Sequence, residues 1–186
     1  MSRIKVIEPK EAKDRLKEIY KDVEKNRGQI AEALKIQSLR PESIIKHMDL
    51  YMEIMFSKSE LSRAKREMIA IVVSISNECH YCAEHHSGAL LQYWKNEKRV
   101  EKLKSNYRIA DLSESDQSLC QFAEKLTKTP SINNKVDLTK ELRESGFTDS
   151  AILDAALVIS YFNFVNRMVL SLGVELEEDV GQNYKY

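Results

Sequence analysis

Residues 67–86 read E-M-I-A-I-V-V-S-I-S-N-E-C-H-Y-C-A-E-H-H. The stretch carries Cys79 and Cys82, His80, His85 and His86, and the longest apolar run, Met68 to Val73. Its first half reads as a buried helix, Asn77 and Glu78 break the pattern, and a second helix starts near Cys79 and continues to about Trp94. At ~100° per residue, Cys82 lies about 60° around that helix from Cys79, and His86 returns to within about 20° of it. The three side chains share one stripe, with His86 one helical turn beyond Cys82. His80 and His85 fall roughly 100–120° away. Spacing therefore selects His86 as the working histidine and leaves the other two as surface or supporting residues.

Cys79 and Cys82 fall in the first turn of the second helix. There the unpaired N–H groups and the positive end of the helix dipole stabilise a thiolate, and a neighbouring histidine lowers a thiol pKa further. The pair can also close a disulfide. Glu67 belongs to the preceding helix. If the chain folds back at Asn77–Glu78, Glu67 lies ~15 Å before the turn and His86 ~12 Å after it, so the hairpin brings them near one another. The order Glu67, His86, Cys82 is then a proton relay: a carboxylate orients an imidazole, which takes a proton from a thiol. Two other readings stay open. Glu67 can pair with Arg63 one turn earlier. Glu67, Cys79, Cys82 and His86 could also supply a mixed donor set for zinc, in a zinc-holding or redox-sensing module without turnover. The second cysteine pair of a ribbon-type zinc site is missing, so no metal site and no cofactor site is assigned.

The remaining composition describes the scaffold. The chain has 186 residues with Lys+Arg and Asp+Glu both at 29. Zero net charge gives no reason to expect nucleic acid or an anionic membrane as a partner. Five glycines and three prolines are few for a β-rich chain, so the expected fold is all-α. Nothing divides the sequence, and a single domain over 1–186 is expected. The N-terminus has no apolar h-region, and three cysteines do not make a secreted disulfide framework; a cytoplasmic location is expected. There the pair is catalytic or metal-binding rather than structural.

Along the chain, a first helix starts near Pro9, carries Leu16, Ile19, Tyr20 and Val23 at helical spacing, and ends at Gly28. A short helix is expected around Gln29 to Ile36. Pro41 opens another, with Ile44, Ile45, Met48, Met52 and Met55 read as a core stripe and an oligomer interface as the alternative. Ser59 or Ser62 caps the helix that carries Glu67. Asn96–Glu97 begins a short charged helix, and Ser113 caps Glu114–Lys128. A loop is expected over Pro130–Lys135. Asp137 caps Leu138–Ser145, with Gly146 in the left-handed C-terminal position. Thr148 caps a long apolar helix from Ala151 to about Leu172, ended by Gly173. Cys120 sits among Leu119, Phe122, Ala123 and Leu126 and reads as a buried structural cysteine. Asn163, Asn166 and Arg167 form a polar strip on the last helix, read as a structural network that alternatively borders the cysteine pocket. The tail from Glu175 to Tyr186 is either disordered or laid on a neighbouring subunit.

The spacing of Glu67, Cys79, Cys82 and His86 resembles the alkyl hydroperoxidase D-like branch of the carboxymuconolactone decarboxylase superfamily, and within it the peroxidase-related group. That family's pattern is Glu, eleven residues, Cys, two residues, Cys, three residues, His, and it fits here without a gap. The resemblance is strong over about 61–91. It continues more weakly into 160–174, where F-N-F-V-N-R-M-V-L-S-L-G-V resembles the family's closing helix. It implies an all-helical fold and homo-oligomers, commonly dimers, trimers or hexamers. It implies an antioxidant thiol peroxidase in which Cys82 attacks a hydroperoxide, Cys79 resolves the sulfenic acid to a disulfide, and His86 and Glu67 relay protons. An external dithiol, of lipoyl type in the characterised peroxidase, would reduce the disulfide. Decarboxylase members lack the cysteine pair. Tyr81 stands where some members carry histidine.

Overall fold

In the computed structural model, residues 2–131 and 135–177 are described, and among them every regular element is a helix. The helices are α1 (Asp14–Arg27), α2 (Glu32–Lys35), α3 (Pro41–Phe56), α4 (Arg63–Ser76), α5 (His80–Trp94), α6 (Glu97–Ser105), α7 (Glu114–Lys128), α8 (Leu138–Glu144) and α9 (Asp149–Leu172). A short 3-10 turn, Tyr107–Ile109, joins α6 to α7. The all-α expectation holds.

The apolar run in α4 decides the arrangement. A helix that is hydrophobic all round must be enclosed all round, and α4 is buried continuously from Arg66 to Ser74. It packs most extensively against α5, then against α7 and α9. Its start is fixed by Ser62, whose Oγ accepts the N–H of Lys65 at 3.3 Å. Arg66 is the charge buried at that end. Its guanidinium donates to the carbonyls of Leu61 (2.9 Å), Ile54 (3.0 Å) and Ser57 (2.9 Å), which ties the α3–α4 connection to the central helix. A buried cation needs such partners, because desolvation without them is expensive.

The turn between α4 and α5 is tight. Glu78 takes a φ of +57°, and the N–H of Cys79 returns to the carbonyl of Ser74 at 2.8 Å. The left-handed residue reverses the chain, so α5 runs back along α4. The other ends follow their sequence signals. Ser113, Asp137 and Thr148 cap α7, α8 and α9 with their side chains. Gly146 and Gly173 take the positive φ values that end α8 and α9. At the far end of α9, Arg3 donates to the carbonyls of Leu170 (2.7 Å) and Ser171 (2.9 Å), a cation at a helix C-terminus.

Several expectations are corrected. The first helix begins at Asp14, five residues beyond Pro9. The carbonyl of Glu8 instead accepts the N–H groups of Glu11 and Ala12 in a separate turn, and Asp14 enters the helix with a φ of +43°. The second helix shortens to Glu32–Lys35. The methionine stripe is only partly core: Ile44 and Met55 are buried, but Met52 is 40% exposed. The inward line along α3 runs instead through buried Ile44, His47 and Met55 with half-buried Tyr51 between them, stepping by three and four residues. Of the loop expected over 130–135, residues 132–134 lie outside the described residues, as do 178–186 of the tail. By length and composition α9 is apolar enough to cross a membrane. Its face of Ala155, Val158, Ile159, Phe162, Val165 and Val169 is buried among α3, α4, α7 and α8, as in a core helix.

Candidate active site

Glu67 sits in the middle of the continuous buried segment of α4 and is fully buried. A carboxylate there must find partners, and it has two. Oε2 meets Nδ1 of His86 on α5 at 2.6 Å, and Oε1 accepts from Nε of Arg63 at 2.6 Å. The two partners expected for Glu67 are therefore both in contact with it, one on each oxygen. Burial pushes its pKa up, but the His86 contact and the Arg63 guanidinium outweigh it and hold the carboxyl below the ordinary carboxylate range. Arg63 is itself held 3.6 Å over the ring of Phe56.

An ionised carboxylate only accepts, so the proton of a neutral His86 sits on Nδ1 and leaves Nε2 as the basic nitrogen. The ring is steadied edge-on against Phe162, with centroids 4.4 Å apart. His80 stays on the surface, with 76% of its side chain exposed. His85 turns to the same cavity as His86 but binds Glu177 at 2.7 Å.

Cys79 is the N-cap of α5 and Cys82 follows three residues on, so the expected first-turn placement is met. Both are free thiols, and they differ in two ways. The first is acidity. The Cys82 thiol, and more weakly its backbone N–H, hold Cys79 below the ordinary thiol range against the opposing effect of burial. The same contact, then burial, holds Cys82 well above it, with Asn166 pulling slightly the other way. The second is access. A cavity of about 110 Å³ is lined by Cys82, His85, His86, Tyr51, Tyr161 and Phe162 among others, and Cys79 does not reach it. Acidity favours Cys79 and access favours Cys82. The pair titrates as a unit, so the proton shared between the sulfurs can move, whereas the wall of the cavity decides which sulfur a ligand meets.

The polar strip on α9 ties the site to its scaffold. Asn77 in the α4–α5 turn donates from Nδ2 to Oδ1 of Asn163 (3.1 Å) and of Asn166 (3.0 Å). Asn166, fully buried, donates to Oγ of Ser74 at 3.3 Å. Arg167 is exposed and donates back to Asn163 at 2.6 Å. The structural reading of this strip fits, and Asn166 additionally touches the electrostatics of Cys82.

The cavity also holds groups that the motif spacing did not single out. His47 of α3, Tyr161 of α9 and Tyr81 of α5 line it. Glu177 comes from the tail, whose described part folds onto its own chain: its carboxylate accepts from Tyr81 Oη (2.8 Å) and from the N–H of Glu32 (2.8 Å). Burial opposes ionisation of Glu177, but its hydrogen bonds bring its pKa down to about 2. Among the described residues, no three His, Cys, Asp or Glu side chains converge to hold a metal ion. The donor set imagined for zinc is instead divided between an Arg63–Glu67–His86 ion-pair chain and a thiol pair.

The site thus joins Cys-x-x-Cys at the start of one helix to a buried glutamate–histidine pair across the hairpin. Residues 44–123 match the Carboxymuconolactone decarboxylase family, and the chain is similar to solved peroxidase-related proteins. Two solved structures are similar to it along nearly their whole length. One is an uncharacterized peroxidase-related protein with an alkylhydroperoxidase AhpD core from Ralstonia eutropha JMP134, 26% identical, with a TM-score of 0.85 over 99% of this chain and 98% of that one. Another is an uncharacterized peroxidase-related protein from Silicibacter sp. TM1040, 28% identical, with a TM-score of 0.82 over 91% and 88% of the two chains. The uncharacterized protein YdfG of Bacillus subtilis (strain 168) is 27% identical over 135 residues, 73% of this chain and 90% of that protein.

Proposed function

We propose that this protein is a thiol-dependent peroxidase that reduces small organic hydroperoxides through a disulfide cycle between Cys82 and Cys79. The observation that carries the reading is the wall of the cavity: Cys82 and His86 line it together, with His86 anchored by buried Glu67. The peroxidase-related relatives support the class of reaction.

The pair first yields one proton to Nε2 of His86. In the resting pair the remaining proton lies on Cys82 and the charge on Cys79. Passing that proton from sulfur to sulfur puts the thiolate at the cavity. Cys82 then attacks the terminal peroxide oxygen, the O–O bond breaks, and a sulfenic acid forms. The alkoxide released takes the proton held by His86 and leaves as the alcohol. Cys79 attacks the sulfenic sulfur, its proton leaves with the hydroxide as water, and the disulfide closes. An external dithiol, of lipoyl type by analogy with the family, restores both thiols. Glu67 keeps His86 in the tautomer that accepts at Nε2 and stabilises its cation. We place this cycle in the cytoplasm, in a homo-oligomer. The exposed stripe of Leu153, Leu157 and Phe164 on α9 supports self-association, and analytical ultracentrifugation showing only a monomer at micromolar concentration would remove that part.

In a steady-state assay with a dithiol reductant, Cys82→Ser abolishes hydroperoxide consumption. Cys79→Ser consumes one equivalent and stops at a sulfenic acid that dimedone captures. Full turnover by Cys82→Ser would overturn the assignment.

A further inference from the structure

A second hydrogen-bonded chain reaches the same cavity from the side opposite in sequence, through Gln37, His47 and Tyr161. Its direction can be read from the acceptors. The side-chain nitrogen of Gln37 donates to the carbonyl of Ala33 at 2.9 Å, which fixes the amide orientation, since a carbonyl only accepts. The same nitrogen donates to Nδ1 of His47 at 2.7 Å. Nδ1 is therefore the bare nitrogen, and the ring proton is on Nε2. That N–H points at the hydroxyl oxygen of Tyr161, 2.6 Å away. The Tyr161 oxygen is thus an acceptor from His47, and its own hydrogen has no acceptor among the described residues. Tyr161 lines the cavity together with Cys82, His47 and His86.

The chain is built to stay in this state. Burial brings the pKa of His47 down to about 4, so the imidazole is neutral. Burial first, then the neighbouring Tyr51 and Cys82, hold the Tyr161 hydroxyl well above its ordinary range, so it keeps its proton. The ring is fixed by edge contacts to His47 (5.6 Å between centroids) and Phe162 (5.0 Å). A hydroxyl that already accepts one hydrogen bond is a stronger donor of the next.

We infer that Tyr161, oriented by His47 and Gln37, donates a hydrogen bond to the leaving oxygen of the hydroperoxide as the O–O bond breaks. The inference depends on the peroxidase reading above and adds a residue to it. Charge develops on the alkoxide oxygen while Cys82 takes the terminal oxygen. Tyr161 stabilises that charge without giving up its proton, and the proton that completes the alcohol still comes from His86. The division places the base on the α5 wall and the donor on the α9 wall. His47 and Gln37 act through Tyr161 and are positioning residues.

The test varies the leaving group. With tert-butyl hydroperoxide, which expels a strongly basic alkoxide, Tyr161→Phe lowers kcat about 10²-fold with little change in KM, the scale of losing one preorganised donor. With peracetic acid, which expels acetate, the same variant stays within a few-fold of the wild type, because the leaving group needs no donor. His47→Leu reproduces this pattern, and His47→Gln, which keeps an N–H donor, does not. Equal losses on both peroxides would mean that Tyr161 only packs, and unchanged rates on both would mean that it does nothing; either result overturns the inference while the peroxidase reading stands. Wild-type protein that consumed neither peroxide would overturn both.

Discussion

Glu67 and His47 are two buried groups whose ionisation the fold controls, and they act in opposite ways. Glu67 is ionised by its partners. Its pKa is lowered in the folded state, so its contribution to stability is present above the ordinary carboxylate range and is lost as pH falls through the lowered value. His47 is kept neutral by burial. Its folded pKa of about 4 lies below the ordinary 6.5. Between those values the unfolded chain binds the extra proton, so stability falls as pH drops from about 6.5 towards 4 and the loss levels off below that. At 1.36 kcal/mol per pH unit the full effect approaches about 3 kcal/mol. Urea unfolding at a series of pH values should show this slope in the wild type and a flatter one in His47→Gln; parallel curves would contradict the burial argument. At this scale the sequence was partly legible. His86 is four residues from Cys82 on the same helix, so local spacing finds it. His47 and Tyr161 are 114 residues apart, and no local pattern joins them. The one signal was a lone histidine in line with Ile44, Tyr51 and Met55.

The α4–α5 hairpin is the element that converts spacing into geometry. Its turn is pinned by Asn166 from a third helix, through Asn77 and Ser74. Removing that side chain leaves a buried cavity and takes one hydrogen bond from each of Asn77 and Ser74, which keep only their bonds to Asn163 and to the Ala70 carbonyl. Asn166→Ala should therefore destabilise the fold by about 2 kcal/mol in chemical denaturation, and a change under 0.5 kcal/mol would show that the turn holds itself. The helices that carry the site were readable because each has its own stop and start chemistry: Ser62, the Asn77–Glu78 break, Thr148 and Gly173. Where the reading slipped, a second local structure competed. The Glu8 turn delays α1, and α3 rotates its polar His47 and Tyr51 inward while Met52 faces out. The docking of Glu177 on Tyr81, His85 and α2 had no precursor in the sequence pattern, since a single carboxylate in a charged tail looks like a solvated one.

For the whole molecule, one apolar helix surrounded by others explains the fold, and the cavity where α1, α2, α3, α5 and α9 meet is the place of the proposed chemistry. The third cysteine shows the difference between the two. Cys120 is fully buried on α7, and burial holds its thiol far above the ordinary range; it belongs to the core, and the proposed cycle does not use it. The account therefore predicts how three thiols divide. The direct measurement is a thiol count with peptide mapping on the fully reduced protein after one equivalent of tert-butyl hydroperoxide. One free thiol should remain, on Cys120, with Cys79 joined to Cys82, and the Cys82→Ser variant should keep both of its thiols. Three free thiols after treatment, or a disulfide that includes Cys120, would contradict the central claim.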